Sequence, residues 1–527
     1  MDLPGHGGWI IGQIFARGTG AQAPALPLLV GIETLARWLV SECWGAYCAV
    51  LSRPGSRHLY LVCDPSGLMP VYRLRLPGHC IVTNDLGLIF AMGSASRVSW
   101  SDLAGHLQWP ELRARRTCLA GIEELVPGEL HCLSDPSAGT RLLWQVERFL
   151  PSRPVRFDDA LAELRELASS VLGAWAGMLG APAVAASGGV DSTFICAALA
   201  SAGQDFSCIT VATADPSGDE RRFVLQLGDH LGVRVETCTY DIQAIDLSRA
   251  ASQGLPRPQR KTFMQALDQA LEAAAHRIGT GAVIDGNGGD NLFCYLHSAA
   301  PVIDSLRLRG PGRATVATFL DMCRLTGADA ATMARAVIRR MCSSSAASLG
   351  KGDTRLLAGD VSRAPQPLVP RLSAPVGRHE GKRDHLAMLM RCQNHLHGLI
   401  SPGSLNRLSP LMSQPLVELC LSFPTWLWCH GGLNRAVARA AFANDIPREI
   451  ATRTSKSGPD SFIRAVFTRG RAEIRDMLLG GLLAHHGILD RVATEAALHA
   501  SVDAADSMIY RLLDLAEAEA WARSWEP

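Results

Sequence analysis

The sequence is poor in lysine. Of its 51 basic residues only four are lysine, at positions 261, 351, 382 and 456, and the rest are arginine. Acidic and basic residues nearly cancel, so the formal net charge is only +1. A chain with so little net charge has no overall field that would draw it to nucleic acid or to an anionic membrane surface. We therefore expect neither as a partner.

Long apolar runs and metal-binding cysteine motifs are also missing. No run of about 18 or more uncharged apolar residues occurs, so we expect no transmembrane helix. The 15 cysteines form no Cys-x-x-Cys pair, and no His-Glu-x-x-His is present. Neither a structural zinc site nor a disulfide framework is therefore expected. The first residues lack the charged start and long apolar segment of a signal peptide, which favours a cytoplasmic protein.

Hydrophobic patterning divides the chain into several parts. The 527 residues, 47% of them hydrophobic, suffice for two or three cores. Short β-prone runs dominate up to residue 147, and a segment with two prolines (149–157) follows them. From residue 182, strands and helices alternate, which predicts an α/β fold with a doubly wound parallel sheet. Residues 300–400 are expected to be mostly helical with a proline-rich loop (363–378), before a helical C-terminal region.

The stretch "SGGVDS" (187–192) lies between a predicted strand and a predicted helix. Its glycines would let backbone N–H groups approach an anion, and the helix N-terminus adds partial positive charge. It lacks the lysine of a Walker phosphate loop. Asp191 would repel a phosphate unless a magnesium ion lay between them. We predict that ATP phosphates are bound here, by Ser187, Gly188, Gly189, Asp191 and Ser192, with Asp191 acting through Mg²⁺.

A second glycine turn, "GNGGDN" (286–291), follows another predicted strand. In parallel sheets ligands bind at the carboxyl ends of the strands, so both turns should face one site. We predict that Gly288 and Gly289 contact ATP and that Asp290 is the second magnesium ligand. Magnesium held by these two acids would neutralise negative charge on the triphosphate. This matters because an anionic carboxylate must attack the anionic α-phosphate.

A third stretch, residues 430–459, carries the remaining candidates. Arg435 and Arg439 are four residues apart, and we expect them on a solvated helix face. Lys456 lies in a Ser- and Gly-rich loop without a neighbouring acid, in a chain with little lysine. We predict that its ammonium stabilises charge developing on the α-phosphate and on the acyl oxygen.

These stretches, in this order, resemble the asparagine synthetase superfamily. Upstream, "DPSGLMPVYRL" (64–74) and "RTCLAGIEELVPGELHCL" (116–133) resemble its glutaminase-type domain. The resemblance implies three parts. They are a glutaminase-like (Ntn-type) β-sheet domain at 1–148, a linker at 149–157 and an ATP-pyrophosphatase domain with a helical C-terminal extension at 158–527.

The glutaminase-like part departs from active members of the family. Active members expose an N-terminal cysteine as their nucleophile once the initiator methionine is removed. Here Asp2 stands at that position, and the nearest cysteine, Cys43, is internal. The resemblance therefore implies a catalytically inactive first domain, and an amine that does not come from glutamine.

Within the superfamily, several motifs are most similar to lasso-peptide macrolactam synthetases. "GNGGDN" replaces the usual SGxGxDE motif, and "NRAVARAAF" (434–442) and "RTSKSG" (453–458) match well. Asparagine synthetases place a glutamate just before the arginine that corresponds to Arg407. Here Leu405 and Asn406 precede it, so that general base is missing. β-Lactam synthetases, whose substrate supplies its own amine, are also similar.

The resemblance implies ATP-dependent macrolactam formation in a ribosomal peptide. An Asp or Glu side chain of a core peptide would be adenylated and then attacked by the peptide's N-terminal amine, releasing AMP. The expected partner is the precursor peptide, with a leader-peptide protease and a leader-binding protein as further candidates. Two alternatives stay open. One is amide formation on a small molecule, of the β-lactam synthetase type or fed with ammonia. The other is a non-catalytic protein that binds nucleotide or peptide.

Overall fold

A computed structural model describes most of the chain. It covers residues 7–18, 20, 31–53, 55–92, 97–135, 139–152, 154–212, 219–342, 352–361, 366, 379–393, 395–396, 405–453, 460–500 and 506–526. The strands are β1 (Gly8–Ala16), β2 (Cys43–Ser52), β3 (Leu59–Cys63), β4 (Tyr72–Leu76), β5 (His79–Thr83), β6 (Ile122–Glu124), β7 (Glu129–Cys132), β8 (Thr140–Leu142), β9 (Ala183–Ala185), β10 (Ser207–Ala212), β11 (Val235–Thr239), β12 (Ala282–Ile284) and β13 (Asn406–Leu408). The helices are α1 (Ile32–Glu42), α2 (Leu86–Ala91), α3 (Trp100–Gln108), α4 (Phe157–Leu179), α5 (Val190–Ser201), α6 (Arg221–Leu231), α7 (Met264–Ile278), α8 (Gly289–Leu292), α9 (Ala300–Arg309), α10 (Arg313–Thr326), α11 (Ala330–Cys342), α12 (Glu380–Gln393), α13 (Gln414–Ser422), α14 (Ala436–Ala441), α15 (Arg448–Ala451), α16 (Asp460–Gly480), α17 (Leu482–His485), α18 (Arg491–His499) and α19 (Asp506–Trp525).

The first part of the chain forms two antiparallel sheets. One has the order β1-β2-β3-β7-β8 and the other the order β5-β4-β6. The β-rich character predicted up to residue 147 is therefore confirmed. Burial on both faces explains why β2 has a nearly continuous apolar sequence instead of an alternating one. That these sheets form a glutaminase-like domain stays a prediction.

The five-stranded sheet that follows has the order β11-β10-β9-β12-β13, and all its neighbouring strands are parallel. The chain starts at the central strand β9, moves outward to β11, and then returns to place β12 on the other side of β9. This confirms the doubly wound parallel sheet. The strand order reverses between β9 and β12, because the chain adds strands on one side of β9 and then on the other. Sheets of this kind bind ligands in the crevice at that point.

The two sheet systems share one hydrophobic core. Trp175 of α4 packs edge-on against Phe15 of β1 and Trp44 of β2, with ring centroids 4.9 and 5.8 Å away. The Trp175 indole N–H donates to the Ser413 hydroxyl, 2.9 Å away. A buried ion pair of 2.5 Å joins Arg257 to Glu124 across the same two parts. The domain boundaries at 148 and 158 stay a prediction, although α4 does begin at Phe157.

Helices dominate the rest of the chain. Helices α9 to α12 confirm the expected helical content of residues 300–400, whereas the predicted proline-rich loop lies outside the described residues apart from Gln366. The C-terminal helix α19 carries buried acids that accept hydrogen bonds from the backbone of other elements. Glu519 accepts hydrogen bonds from the backbone N–H groups of Leu482 and Leu483, which open α17. No helix among the described residues has the length and apolarity needed to cross a membrane.

Candidate active site

The first glycine turn joins β9 to α5 as predicted. Gly188 has φ +67°, and a Cβ there would lie only 2.8 Å from the Cβ of Phe223, so glycine is required on both counts. Gly189 precedes α5 in extended conformation, and no side chain of the described residues caps this helix. The amides of the first turn of α5 therefore point toward the site that was predicted to hold phosphate.

The two predicted serines differ in exposure. Ser192 is 4% exposed, and its hydroxyl accepts a 3.2 Å hydrogen bond from the backbone N–H of Ser187. Its hydroxyl therefore holds the turn in shape. Ser187 is exposed, and its side chain makes only long contacts of 3.4 and 3.5 Å within the turn. Ser187 is thus the serine that is better placed to reach a bound phosphate.

The second glycine turn is pressed against the first. β12 pairs directly with β9, so both turns leave the same edge of the sheet. A Cβ on Gly289 would lie 2.3 Å from Cγ of Asp191, and one on Gly286 would lie 3.2 Å from Cβ of Asp191. These glycines are needed because the Asp191 side chain occupies the space that their own side chains would fill. The pairing of the two turns expected from the sequence is therefore present.

Three polar contacts fix the second turn. Asp285, which follows β12, accepts hydrogen bonds from the Ser409 hydroxyl at 2.7 Å and from the backbone N–H of Asn287 at 3.0 Å. Burial raises the pKa of the Asp285 carboxyl, and these hydrogen bonds oppose that rise. Asn291 donates from its side chain to the carbonyl of Met388 in α12, 2.6 Å away. The turn that carries Asp290 is thereby held to Ser409, which follows β13, and to α12.

Arg435 brings the two predicted magnesium ligands together. Its Nη1 lies 3.1 Å from Oδ1 of Asp191 and also contacts Oδ1 of Asp290. The Arg435 side chain is only 7% exposed, and its guanidinium lies over the ring of Tyr295, 5.0 Å from the centroid. The expectation of a solvated arginine was therefore wrong. The helix on which Arg435 and Arg439 were placed packs against α4 and α5, which the local sequence does not reveal.

Two further arginines connect this third segment to the first turn. Arg439 donates to the carbonyls of Asn434 and Arg453, at 2.9 and 2.7 Å. Arg453 in turn donates to the carbonyl of Gly188 at 3.1 Å and is paired with Glu220. Burial, with the charge of Arg435, lowers the pKa of Arg439 to about 10. Arg439, half-buried, was also predicted wrongly as solvated, and the role of Arg453 was missed.

Lys456, the predicted catalytic residue, lies outside the described residues. The described segment that precedes Lys456 ends at Arg453, whose side chain donates to the Gly188 carbonyl of the first glycine turn. The signal that could have found the arginines is in the sequence. In "NRAVARAAF" two arginines stand among small apolar residues without a nearby acid, which is unusual for an exposed helix face.

The donor set fits magnesium in type. Asp191 and Asp290 offer hard carboxylate oxygens, the ligands that Mg²⁺ prefers. No cluster of three or more His, Cys, Asp or Glu side chains suited to a metal occurs in the described part of the chain. Two carboxylates, with no third His, Cys, Asp or Glu ligand among the described residues, match a Mg²⁺ ion that is held jointly by protein and substrate phosphates.

A family comparison agrees with this geometry. The family model described as asparagine synthase matches residues 183–523, from β9 into α19 and well over half of the chain. The chain belongs to the asparagine synthase family. In this asparagine synthase family member, the matched region includes both glycine turns, Arg435, Arg439 and Arg453, and the helices that follow them in the chain. A comparison with curated proteins gave no match.

Family membership fixes the general class of activity. Asparagine synthase family proteins are ATP-dependent ligases that form amide bonds, usually with Mg²⁺. The match begins at β9 and does not include the antiparallel sheets, so it carries no information about a glutaminase activity in this family member.

Proposed function

We propose that the protein closes a peptide into a ring through an ATP-dependent isopeptide bond. The observation that carries the ATP-dependent step is the meeting of two acidic glycine turns at the carboxyl ends of β9 and β12. Their aspartates, Asp191 and Asp290, come within reach of a single nitrogen atom, Nη1 of Arg435. Two carboxylates and a guanidinium beside the N-terminal amides of α5 suit a bound triphosphate with its counter-ions.

The first step activates a carboxylate. ATP, as a substrate, lies with its phosphates on residues 187–192. Asp191 and Asp290 would hold Mg²⁺, which would neutralise part of the phosphate charge when bound. A side-chain carboxylate of the peptide attacks the α-phosphorus. The bond between this phosphorus and the bridging β-phosphate oxygen breaks, and pyrophosphate leaves with the electron pair. The product is an acyl-adenylate, and Lys456 stabilises the negative charge that develops on the α-phosphate.

The second step forms the amide. The peptide's N-terminal amine attacks the acyl carbon, loses a proton, and expels AMP with the electrons of the acyl–oxygen bond. N-terminal amines have a pKa of about 8, so about a fifth of the amine is already neutral near pH 7.4. This chemistry is compatible with Leu405 and Asn406 at the place of the family's usual glutamate. Holding both ends of one chain together supplies rate through proximity.

The choice of a peptide substrate rests on the motif resemblance. "GNGGDN", "NRAVARAAF" and "RTSKSG" are similar to the corresponding motifs of the macrolactam synthetases of lasso peptides. A precursor peptide is therefore the proposed partner, and a leader-peptide protease and a leader-binding protein are proposed to act on the same precursor. The cytoplasm is the proposed location.

The test uses a set of synthetic linear peptides with a free N-terminal amine and one Asp or Glu. The full-length protein is incubated with each peptide, ATP and Mg²⁺, and products are measured by mass spectrometry. We expect one peptide to lose the mass of one water while AMP and pyrophosphate form in equal amounts. The same peptide with an acetylated N-terminus should not cyclise, because its amine is blocked.

Other outcomes would favour the alternatives. Formation of asparagine from aspartate, ammonia and ATP would favour ammonia-dependent synthesis on a small molecule. Binding of ATP without release of pyrophosphate under any of these conditions would favour a non-catalytic protein. Asp191→Ala and Asp290→Ala should each abolish ATP consumption, and normal turnover in either variant would contradict the metal assignment.

A further inference from the structure

Arg435 occupies the position between the two acids that a bridging metal would need. Its Nη1 contacts Asp290 and lies 3.1 and 3.3 Å from the two carboxylate oxygens of Asp191. A Mg²⁺ ion shared by these carboxylates needs oxygen atoms about 2.0–2.1 Å away and tolerates little distortion. The guanidinium and the metal ion therefore cannot both lie between Asp191 and Asp290.

The backbone of Arg435 is held in an unusual conformation. Its φ of +53° and ψ of +35° place it in the left-handed region, where a non-glycine residue is uncommon and strained. Arg439 stabilises this conformation through the carbonyl and side-chain oxygens of the preceding Asn434. The same Asn434 oxygen accepts from Nε of Arg435 at 3.2 Å. These contacts hold the backbone at residues 434 and 435 so that the Arg435 guanidinium reaches the two acids.

We propose that Arg435 competes with the divalent metal for Asp191 and Asp290 and is displaced when magnesium and ATP bind together. This inference rests on the proposed ATP site and adds to it that Arg435 limits metal binding in the absence of ATP. Metal alone gains two carboxylates but must displace one positive charge from a buried position. Metal with ATP also supplies phosphate oxygens, to which the released guanidinium donates hydrogen bonds. The site therefore favours the metal–nucleotide complex over the free ion.

The proposal predicts two changes of opposite sign in a neutral variant. Arg435→Gln should bind Mn²⁺, used as a probe for Mg²⁺, about tenfold or more tightly than the wild type in the absence of nucleotide, because the competing charge is gone. The same variant should bind ATP about tenfold more weakly in the absence of metal, because a phosphate donor is lost. A purely structural role would weaken both.

The measurement uses the full-length protein. Free Mn²⁺ is followed by electron paramagnetic resonance, and ATP binding is followed by calorimetry. Arg435→Met serves as a second neutral variant if Arg435→Gln does not fold, and Arg435→Lys should stay close to the wild type because it keeps the charge. Arg340→Gln is the matched control, since Arg340 also bridges two acids, Glu380 and Asp384, but lies on α11.

Two failures can be told apart. If the wild type binds no ATP in the presence of Mg²⁺, the proposed function is wrong. If the wild type binds ATP with Mg²⁺ but the neutral variants bind Mn²⁺ no more tightly than the wild type and Arg340→Gln, only the competition by Arg435 is refuted.

Discussion

Gly289→Ala gives the sharpest test of how the two glycine turns fit together. Alanine is normally preferred over glycine in a helix by about 0.5–1 kcal/mol, and Gly289 is the first residue of α8. The new Cβ would, however, lie 2.3 Å from Cγ and 2.5 Å from Oδ1 of Asp191. Since carbon atoms pack at about 3.5–4.0 Å, Asp191 or the second turn must move by more than about 1 Å.

The expected effect is larger on binding than on folding. Overpacking of this kind costs about 1–3 kcal/mol, and the helix preference offsets part of it. A displacement of about 1 Å in a catalytic group can cost about a hundredfold in rate. We therefore expect a modest fall in melting temperature and at least about a tenfold loss of affinity for ATP with Mg²⁺, as measured by calorimetry.

Two other glycines, one just before β12 and one in the turn after it, provide a graded comparison. A Cβ on Gly281 would meet no atom within 4 Å, so Gly281→Ala should match the wild type. Gly286→Ala should be intermediate, since its Cβ would lie 3.2 Å from Cβ of Asp191. If Gly289→Ala bound ATP as well as Gly281→Ala does, the close packing of Asp191 on the second turn would not be required for the site, and the reasoning would be refuted.

Three further predictions concern other side chains. Lys456→Ala should lower turnover about 10²–10³-fold, whereas Lys351→Ala, at a lysine outside the three motifs, should retain the wild-type rate of pyrophosphate release. Asn291→Ala removes the donor to Met388 that holds α8, and should weaken ATP–Mg²⁺ binding about tenfold without altering the pyrophosphate-to-AMP ratio. Burial lowers the pKa of Lys382 to about 8 from its usual 10.5, so the unfolded chain binds more protons between these pH values and stability rises with pH across that window. Lys382→Met should lose this contribution, and melting temperatures that rise equally with pH in both proteins would count against it.

The sequence was sufficient to predict those strands and turns whose structure is determined by a short local segment. Strands β9 and β12 were predicted because each is a brief apolar run that leads into a glycine turn. The position of Asp191 and Asp290 at one sheet edge followed from parallel pairing alone. β13 was not predicted, because three residues, Asn406–Leu408, are too few to show a period and gain their strand character from pairing with β12.

Contacts between distant segments could not be obtained in this way. Arg435 and Asp191 are 244 positions apart, and only the packing of α14 on α4 and α5 brings them together. A spacing of four residues on a helix indicates a shared face but does not say whether that face meets water or protein. The interlocking of Gly289 with Asp191 was equally inaccessible, because it depends on how closely two separate backbones approach.

The cluster of Trp175, Phe15 and Trp44 has an evolutionary consequence. Phe15 and Trp44 complete the core around Trp175. Selection for folding therefore retains the strands β1 and β2 that carry them, whether or not these strands take part in catalysis. A deletion of β1 and β2 would leave the Trp175 indole of α4 uncovered, so these strands cannot be lost without a cost to the stability of the rest of the chain.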